Sequence, residues 1–579
     1  MAQQLLQEHL YGDLLAPRPD YHTDFAMGMT YSLSFDTLMT AYLAFGMLGD
    51  ADEKAVQCPH VLLEAILKNS DKTVIFCNKG SIDVPPTIRK VYSLLEKSIF
   101  EVFNPSEPAA NFHPKMWLIR DVHNNNKKDI LLKLIVSSRN MAYSDTIDCI
   151  VALTGKVHPF SQKNKKHKVL RTFIEKVVRY SNIGDEQRQK VLVLAKELES
   201  VEYFNVSAPF EDYDFFPYLF KEDFGLGKVE DYLRGTESVI VSPFIDKKLL
   251  DRIIAKGEHQ ALITREKYVD TNVFNKFNQK GGIYVALDDL VHWGMDLHAK
   301  MYLVWMGRDE HYLYLGSANA TNSAFERNGE LLLRLKFKHG NSKYHHFLKE
   351  FYEEGNKDSK FTKLKTPIEE TSTIDRRDEA ELAMKDLMCA KNLSAKITRQ
   401  RDGQFSIVVT SNLKKLGYPV FIAPMQKQSM LTLWEEKATF KGLTADELSE
   451  FYIISSQTKD KRHKGVIKIA TEGMPDNRDQ SIYKSIIKSK QDFITFLELM
   501  LSESPMLYMA NELARKDSGT ATTSEERYEF PQVYEKMLRV AATKPATIFQ
   551  IGEIFGKLDA TIVPEEFQMI YKQFVSAIK

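Results

Sequence analysis

The chain has 579 residues, room for two to four domains at about 150 residues each. Its 78 Lys plus Arg equal its 78 Asp plus Glu, so no global charge draws it to a polyanion and any nucleic-acid site has to be a local patch. Hydrophobic content of 43% suits a folded chain, and no apolar run reaches the roughly 18 residues that cross a bilayer.

The opening MAQQLLQEHLYGD has neither the charged start nor the apolar core of a signal peptide. The four cysteines, Cys58, Cys77, Cys149 and Cys389, form no CxxC pair and no metal-ligand spacing. A cytoplasmic, reduced protein with no structural zinc is the expectation, with Cys77 and Cys149 as small core residues.

In chain order, MTYSLSF (29–35) predicts a strand, DTLMTAYLAFGML (36–48) a helix capped by Asp36, and KTVIFCN (72–78) a strand. FHPKMWLIR (112–120) and LLKLIVSSRN (131–140) read as strands joined through the turn-rich HNNNKKD (123–129), and CIVAL (149–153) follows. A second series opens with SVIVSPFID (238–246) and a helix, KKLLDRIIAKG (247–257), ended by Gly257. Strands QALITREK (260–267), GIYVALDD (282–289) and LHAKMYLVW (297–305) come next; HYLYLGSANATN (311–322) follows the tip GRDEH (307–311). The polar stretch 353–381 reads as a linker. Beyond it, 382–579 predicts a β-rich part (FSIVVTSN, YPVFIAPM, EFYIISSQ, GVIKIAT) and then helices over 531–543, 546–558 and 564–578, with Pro564 in a first turn.

Two of these strands carry the same oddity, a His and a Lys two apart in an apolar run. Positions i and i+2 of a strand share a face, so His113 and Lys115 pair up, as do His298 and Lys300. Each copy continues to a small-residue turn and an asparagine, Ser137-Ser138 to Asn140 and Gly316-Ser317 to Asn319. Each then places an acid before another apolar strand, Asp148 and Glu330. The offsets of the His, Asn and acid between copies are 185, 179 and 182 residues, the differences falling in loops. A lone His-x-Lys is cheap; this doubled constellation is an internal repeat.

Two copies facing each other across a pseudo-twofold axis bring two His, two Lys and two Asn into one pocket. Lysine ammoniums and asparagine amides are donor-rich groups that suit a phosphate and the charge of its transition state. The Ser138 and Ser317 hydroxyls are placed to add to this. One histidine can attack phosphorus while the other gives a proton to the leaving oxygen and takes one from water. Asp148 and Glu330 are reasonable partners for the ring nitrogens. No metal or other cofactor is required, and no carboxylate cluster is present in the sequence to hold one.

HPK…SSRN…D and HAK…GSAN…E resemble the two HKD half-motifs of the phospholipase D superfamily, over roughly residues 25–340. The resemblance implies an α/β fold: two phospholipase D-like α/β/α units forming a pseudo-twofold pair, plus a C-terminal α+β region. The expected division is 1–200 and 201–352 for the units, 353–381 for the linker and 382–579 for an accessory domain. It implies His113 as nucleophile, His298 as general acid, and phosphate-holding roles for Lys115, Asn140, Lys300 and Asn319. The aspartate that lipid-acting members usually keep five residues after the lysine is Arg120 in one copy and Trp305 in the other. That departure favours the similarity to bacterial HKD nucleases.

The function expected is a metal-independent phosphodiesterase acting on nucleic acid, most simply DNA. The alternatives are a phospholipase or phosphatidyl-transfer enzyme, a tyrosyl-DNA-phosphodiesterase-like end-processing enzyme, and a non-catalytic binding module. Large bacterial HKD proteins of this layout imply anti-phage defence or restriction, with a separate ATPase or helicase subunit, since no GxxxxGK[ST] occurs here. No membrane contact is expected. The basic runs QKNKKHKVLR (162–171) and KDKRHKGVIK (459–468) are expected to be solvated faces, with nucleic-acid contact as the alternative. No regular aromatic–basic interleaving marks a single-strand platform.

Overall fold

A computed structural model describes residues 11–46, 58–158, 164–338 and 344–367, apart from 223, 255–256, 258, 293, 308–309, 355 and 357–358. It further describes Met384, Leu387, 393–411, 419–457, 462–502, 530–543, 545–558 and 561–578. Cys389, most of the expected linker and the ends of both basic runs lie outside the described residues.

The first unit is a six-stranded mixed sheet of β1 (Tyr21–Thr30), β2 (Thr73–Asn78), β3 (Ile99–Val102), β4 (Met116–His123), β5 (Asn126–Ser137) and β6 (Ile150–Lys156), in the order β3-β2-β1-β4-β5-β6. The second contains β7 (Phe210–Leu219), β8 (Glu237–Val241), β9 (Gln260–Ile263), β10 (Ile283–Ala286), β11 (Met301–Trp305), β12 (His311–Gly316), β13 (Gly329–Phe337) and β14 (Phe361–Lys363). Its order is β14-β10-β9-β8-β11-β12-β13-β7, so the six central strands repeat the first sheet and β14 and β7 extend its edges. The senses repeat as well. β1, β2 and β3 are parallel, as are β8, β9 and β10, while β4 and β11 run antiparallel to their neighbours. The pseudo-twofold pair of α/β units is thus present in the architecture.

The two sheets face each other. On β1, Phe25, Met27 and Met29 enter a core shared with Val239, Val241, Ala261, Ile263 and Leu303 of the second sheet. The intervening Ala26 faces a different core, under the helices Phe35–Gly46 and Pro59–Asn69. This is the period-two alternation of a sheet buried on both faces. The second sheet buries its outer face, Ile240, Tyr302 and Tyr314, under its own helices Lys247–Ile253 and Thr271–Asn278.

The C-terminal region forms two four-stranded sheets over residues 394–472 and then helices Arg478–Ile486, Lys490–Leu501, Phe530–Thr543, Pro545–Phe555 and Glu565–Ile578. It is continuous with the first unit: Met425, Phe451, Ile453, Val466 and the apolar faces of these helices lie in the same core as Leu38, Tyr42 and Leu62. Arg478 donates to the buried Glu96 carboxylate at 2.6 Å, and the Ser449 hydroxyl donates to the same group at 2.8 Å. Residues beyond the expected boundary at 382 thus share a core with the first unit. Within the expected linker, 361–363 is an edge strand paired to β10.

Several local expectations are corrected. β1 ends at Thr30, and the helix after it begins at Phe35, where the Ser34 hydroxyl accepts the Thr37 N–H at 3.5 Å. Asp36 sits in the first turn and accepts the Tyr92 hydroxyl. The helix after β8 is capped by Asp246 and stops at Ile253 instead of Gly257. In the first basic run Lys166 pairs with Asp212, and Arg171 with Glu175 and Glu199. In the second, Lys468 donates to the Glu96 and Ile99 carbonyls at the interface with the first unit.

Candidate active site

The His and Lys of each copy precede their ladder strands. β4 starts at Met116 and β11 at Met301, so His113, Lys115, His298 and Lys300 lie in the extended lead-ins. Each lead-in is pinned to the opposite unit. His113 N–H donates to Gly329 O (2.8 Å) and Gly329 N–H to Asn111 O (2.8 Å). In the mirror arrangement, His298 N–H donates to Ile147 O (2.9 Å) and Ile147 N–H to Asp296 O (3.0 Å). Gly329 and Ile147 each stand one residue before an acid, so this backbone pairing carries each histidine to the other unit's carboxylate.

His113 Nδ1 lies 2.9 Å from Glu330 Oε2, and His298 Nδ1 lies 2.8 Å from Asp148 Oδ1. Ser317 Oγ donates to Glu330 at 2.5 Å and accepts the Leu331 N–H; Ser138 Oγ donates to Asp148 at 2.6 Å and accepts the Cys149 N–H. A hydroxyl has one proton to give. Both serines therefore hold carboxylates, and the phosphate-donor role expected of them is corrected. Gly316, before Ser317, has φ +151°, and a Cβ there would lie 2.2 Å from Leu331 O; only glycine admits that close approach.

Lys115 and Lys300 are 1% and 0% exposed. Each ammonium donates to the carbonyl of its own histidine, Lys115 to His113 O at 3.0 Å and Lys300 to His298 O at 2.5 Å. Among the described residues, two of three donors on each are left for a ligand. Asn140 and Asn319 follow the serine turns. Their carboxamide oxygens are buried and have no hydrogen-bond partner among the described residues. These unmatched atoms are acceptors at equivalent points of the repeat, and a donor such as water would be needed to meet them.

These turns have a support that the sequence did not reveal. Thr30 Oγ1 accepts the Met141 N–H (2.9 Å) and donates to Ser32 O; Ser242 Oγ accepts the Ala320 N–H (2.9 Å) and donates to Phe244 O. Met141 and Ala320 directly follow the two asparagines. The only signal was a hydroxyl residue at the end of each copy's first strand.

The two dyads differ electrostatically. Burial, then the charges of Lys115, Lys300 and His298, hold His113 well below the ordinary imidazole range. Burial also lowers His298, where the Asp148 hydrogen bond works in the opposite direction. For Asp148, burial pushes upward, but hydrogen bonds from His298, Ser138 and Thr146 outweigh it and bring the group to about 2. Glu330, fully buried, is pushed up to about 8 by burial against the pull of Lys115. Burial brings Lys300 down to about 8 and Lys115 well below its ordinary value. Cys149, expected in the core, is half-buried here, with its thiol 3.6 Å from Lys300 O.

Arg120 and Trp305, at the departures from the HKD pattern, are structural. Arg120 pairs with Asp24 and Glu197, and Trp305 is 4% exposed at the end of β11.

No protein-family model matches the chain. No curated protein matches it. Among solved structures, it is similar to phosphatidylserine synthase from Haemophilus influenzae Rd KW20, with 11% identity over 61% of this chain and 84% of that one (TM-score 0.35). It is also similar to yeast tyrosyl-DNA phosphodiesterase, with 11% identity over 55% of this chain and 82% of that one (TM-score 0.33).

Proposed function

We propose that this chain is a phosphodiesterase that cleaves nucleic acid through a phosphohistidine on His113, with no metal in the reaction. The observation that carries this is the crossed pair of His–carboxylate contacts around two buried lysines. With its Nδ1 held by Glu330, His113 Nε2 attacks phosphorus. His298 gives its proton to the leaving oxygen, which departs as the alcohol. His298 then takes a proton from water, whose oxygen displaces His113 and restores the enzyme. Lys115, Lys300, Asn140 and Asn319 hold the non-bridging oxygens and the charge that grows on them.

The electrostatic difference between the dyads supports this division. A nucleophile has to be neutral, and burial, followed by the charges of Lys115, Lys300 and His298, keeps His113 so. A general acid has to carry a proton, and ionised Asp148 favours the protonated form of His298. The absence of the lipase-type aspartate at Arg120 and Trp305 supports nucleic acid over lipid.

The test is cleavage of single- and double-stranded DNA and RNA with chelator present. Wild type is expected to cut and His113→Ala to be inactive. Activity that survives in the variant, or that needs added magnesium, sinks the mechanism. Parallel assays on a tyrosyl-linked oligonucleotide and on phosphatidyl vesicles separate the end-processing and phosphatidyl-transfer readings. Anti-phage service beside a separate ATPase subunit belongs to the same proposal; a pull-down that returns no ATPase counts against it.

A further inference from the structure

The parallel strands β1 and β8 end at the asparagine turns, and the residues just past such parallel strands form the rim where a ligand usually lies in these sheets. In the first unit these are Tyr31 after β1, Lys79 after β2 and Phe103 after β3. In the second they are Phe244 after β8 and Arg265, Lys267 and Tyr268 after β9. Apart from Arg265, Lys267 and Tyr268 they are separated in sequence, and most of them meet as aromatic–cation pairs.

The Tyr31 ring packs 5.2 Å from that of His113, and Lys79 Nζ lies 5.3 Å over Phe103. In the second unit, the Arg265 guanidinium lies 5.0 Å over Phe244, Phe244 packs 5.5 Å from Tyr268, and Lys267 Nζ lies 5.2 Å over Tyr268. Arg265 is fixed beside the site by Leu297 O (3.1 Å) and Asp296 (2.7 Å), the residues just before His298. Lys267 is exposed and the others are half-exposed.

We infer that this rim is a platform for unpaired nucleotides, so that the strand presented to His113 and His298 is single. This deepens the phosphodiesterase reading and rests on it for the bond that is cut. The argument turns on the balance of charge and rings. Asp296 neutralises Arg265, and Glu266 is exposed beside Lys267, so the rim is only weakly basic. Duplex binding is dominated by backbone charge, which such a rim lacks. Its rings and guanidinium plane offer stacking, and only unpaired bases expose the faces that stack. Lys79 and Lys267 suit the phosphates between those bases.

The experiment measures binding of nuclease-resistant phosphorothioate DNA, as single strand and as duplex of equal length, to wild type, Tyr268→Ala and Tyr268→Phe. Wild type is expected to prefer the single strand. Loss of one stacked base in Tyr268→Ala should weaken single-strand binding about tenfold and barely move duplex binding, and Tyr268→Phe should retain the preference. Equal affinity for both forms, an unchanged single-strand affinity in Tyr268→Ala, or displacement of the strand by anionic phospholipid vesicles overturns the inference. Hydrolysis of bis(para-nitrophenyl) phosphate by wild type reports on the catalytic reading separately. Hydrolysis without strand preference sinks the platform alone, and strand preference without hydrolysis sinks the phosphodiesterase reading alone.

Discussion

His113 and Glu330 are 217 residues apart in the chain and 2.9 Å apart at the site. His298 and Asp148 repeat the relationship at 2.8 Å. Each unit lends its carboxylate to the other's histidine, so neither half-motif is complete within its own unit.

The pH dependence follows from the His298–Asp148 pair. Asp148 works to raise the pKa of His298 against burial. Removing its charge in Asp148→Asn therefore lowers that pKa, and the protonated acid is lost at lower pH. The basic limb of kcat/KM against pH should move to more acidic values, with activity at neutral pH reduced. A limb that stays in place would separate His298 from the acid role.

Glu330 sets activity against stability. Its folded-state pKa of about 8 lies above the unfolded carboxylate value. Its stability term is thus fully present below the unfolded value and is lost as pH rises towards about 8. Glu330→Gln removes that loss, so its melting temperature relative to wild type should climb from pH 5 to pH 8. The amide can donate to His113 Nδ1, which forces the proton onto Nε2 and silences the nucleophile, a change on the order of a 10⁴-fold loss in kcat where a tautomer is reversed. Thermal scans at the two pH values and a rate assay check both halves.

Thr30 and Ser242 act as positioning residues for Asn140 and Asn319. Thr30→Val keeps the shape and leaves the Met141 N–H buried without its acceptor, at about 1–3 kcal/mol. The rate should fall in Thr30→Val, and a double-mutant cycle with Asn140→Ala should be non-additive. Full additivity would mean that Thr30 acts on stability alone.

The contact between Glu96 and Arg478 fastens the C-terminal helices to the first unit, with both side chains 7% exposed. Arg478→Met strands a buried carboxylate and should cost about 3–5 kcal/mol in denaturant unfolding. Adding Glu96→Gln should recover much of that loss. A small cost in the single variant would make the C-terminal region a separately folding unit.

The repeated His, Lys, Asn and acid were legible because a repeat writes the same residues twice at nearly fixed offsets. Much of the strand series was legible from its apolar runs; the order of the two sheets was not, nor were β3 and β7. The crossing of the dyads was not legible: the offsets fit Asp148 beside either histidine, and the choice is made by backbone pairing of Phe112 with Gly329 and Ile147 with Leu297. The rim residues Lys79, Phe103 and Phe244 are isolated in sequence and meet their partners only where strands end, and the run Arg265-Glu266-Lys267-Tyr268 is too short to announce a platform. Ser138 and Ser317 looked like phosphate donors until their single protons were accounted for. Linker-like composition over 353–381 hid an edge strand, because three residues carry too little pattern to detect.

The central claim is a covalent phosphorus–nitrogen bond at His113. Wild type mixed with an excess of phosphorus-labelled oligonucleotide, quenched within a turnover and digested, should yield an acid-labile, alkali-stable label on the peptide containing His113, and no label in His113→Ala. Label on His298 instead, or turnover at full rate with no labelled histidine, would contradict the account.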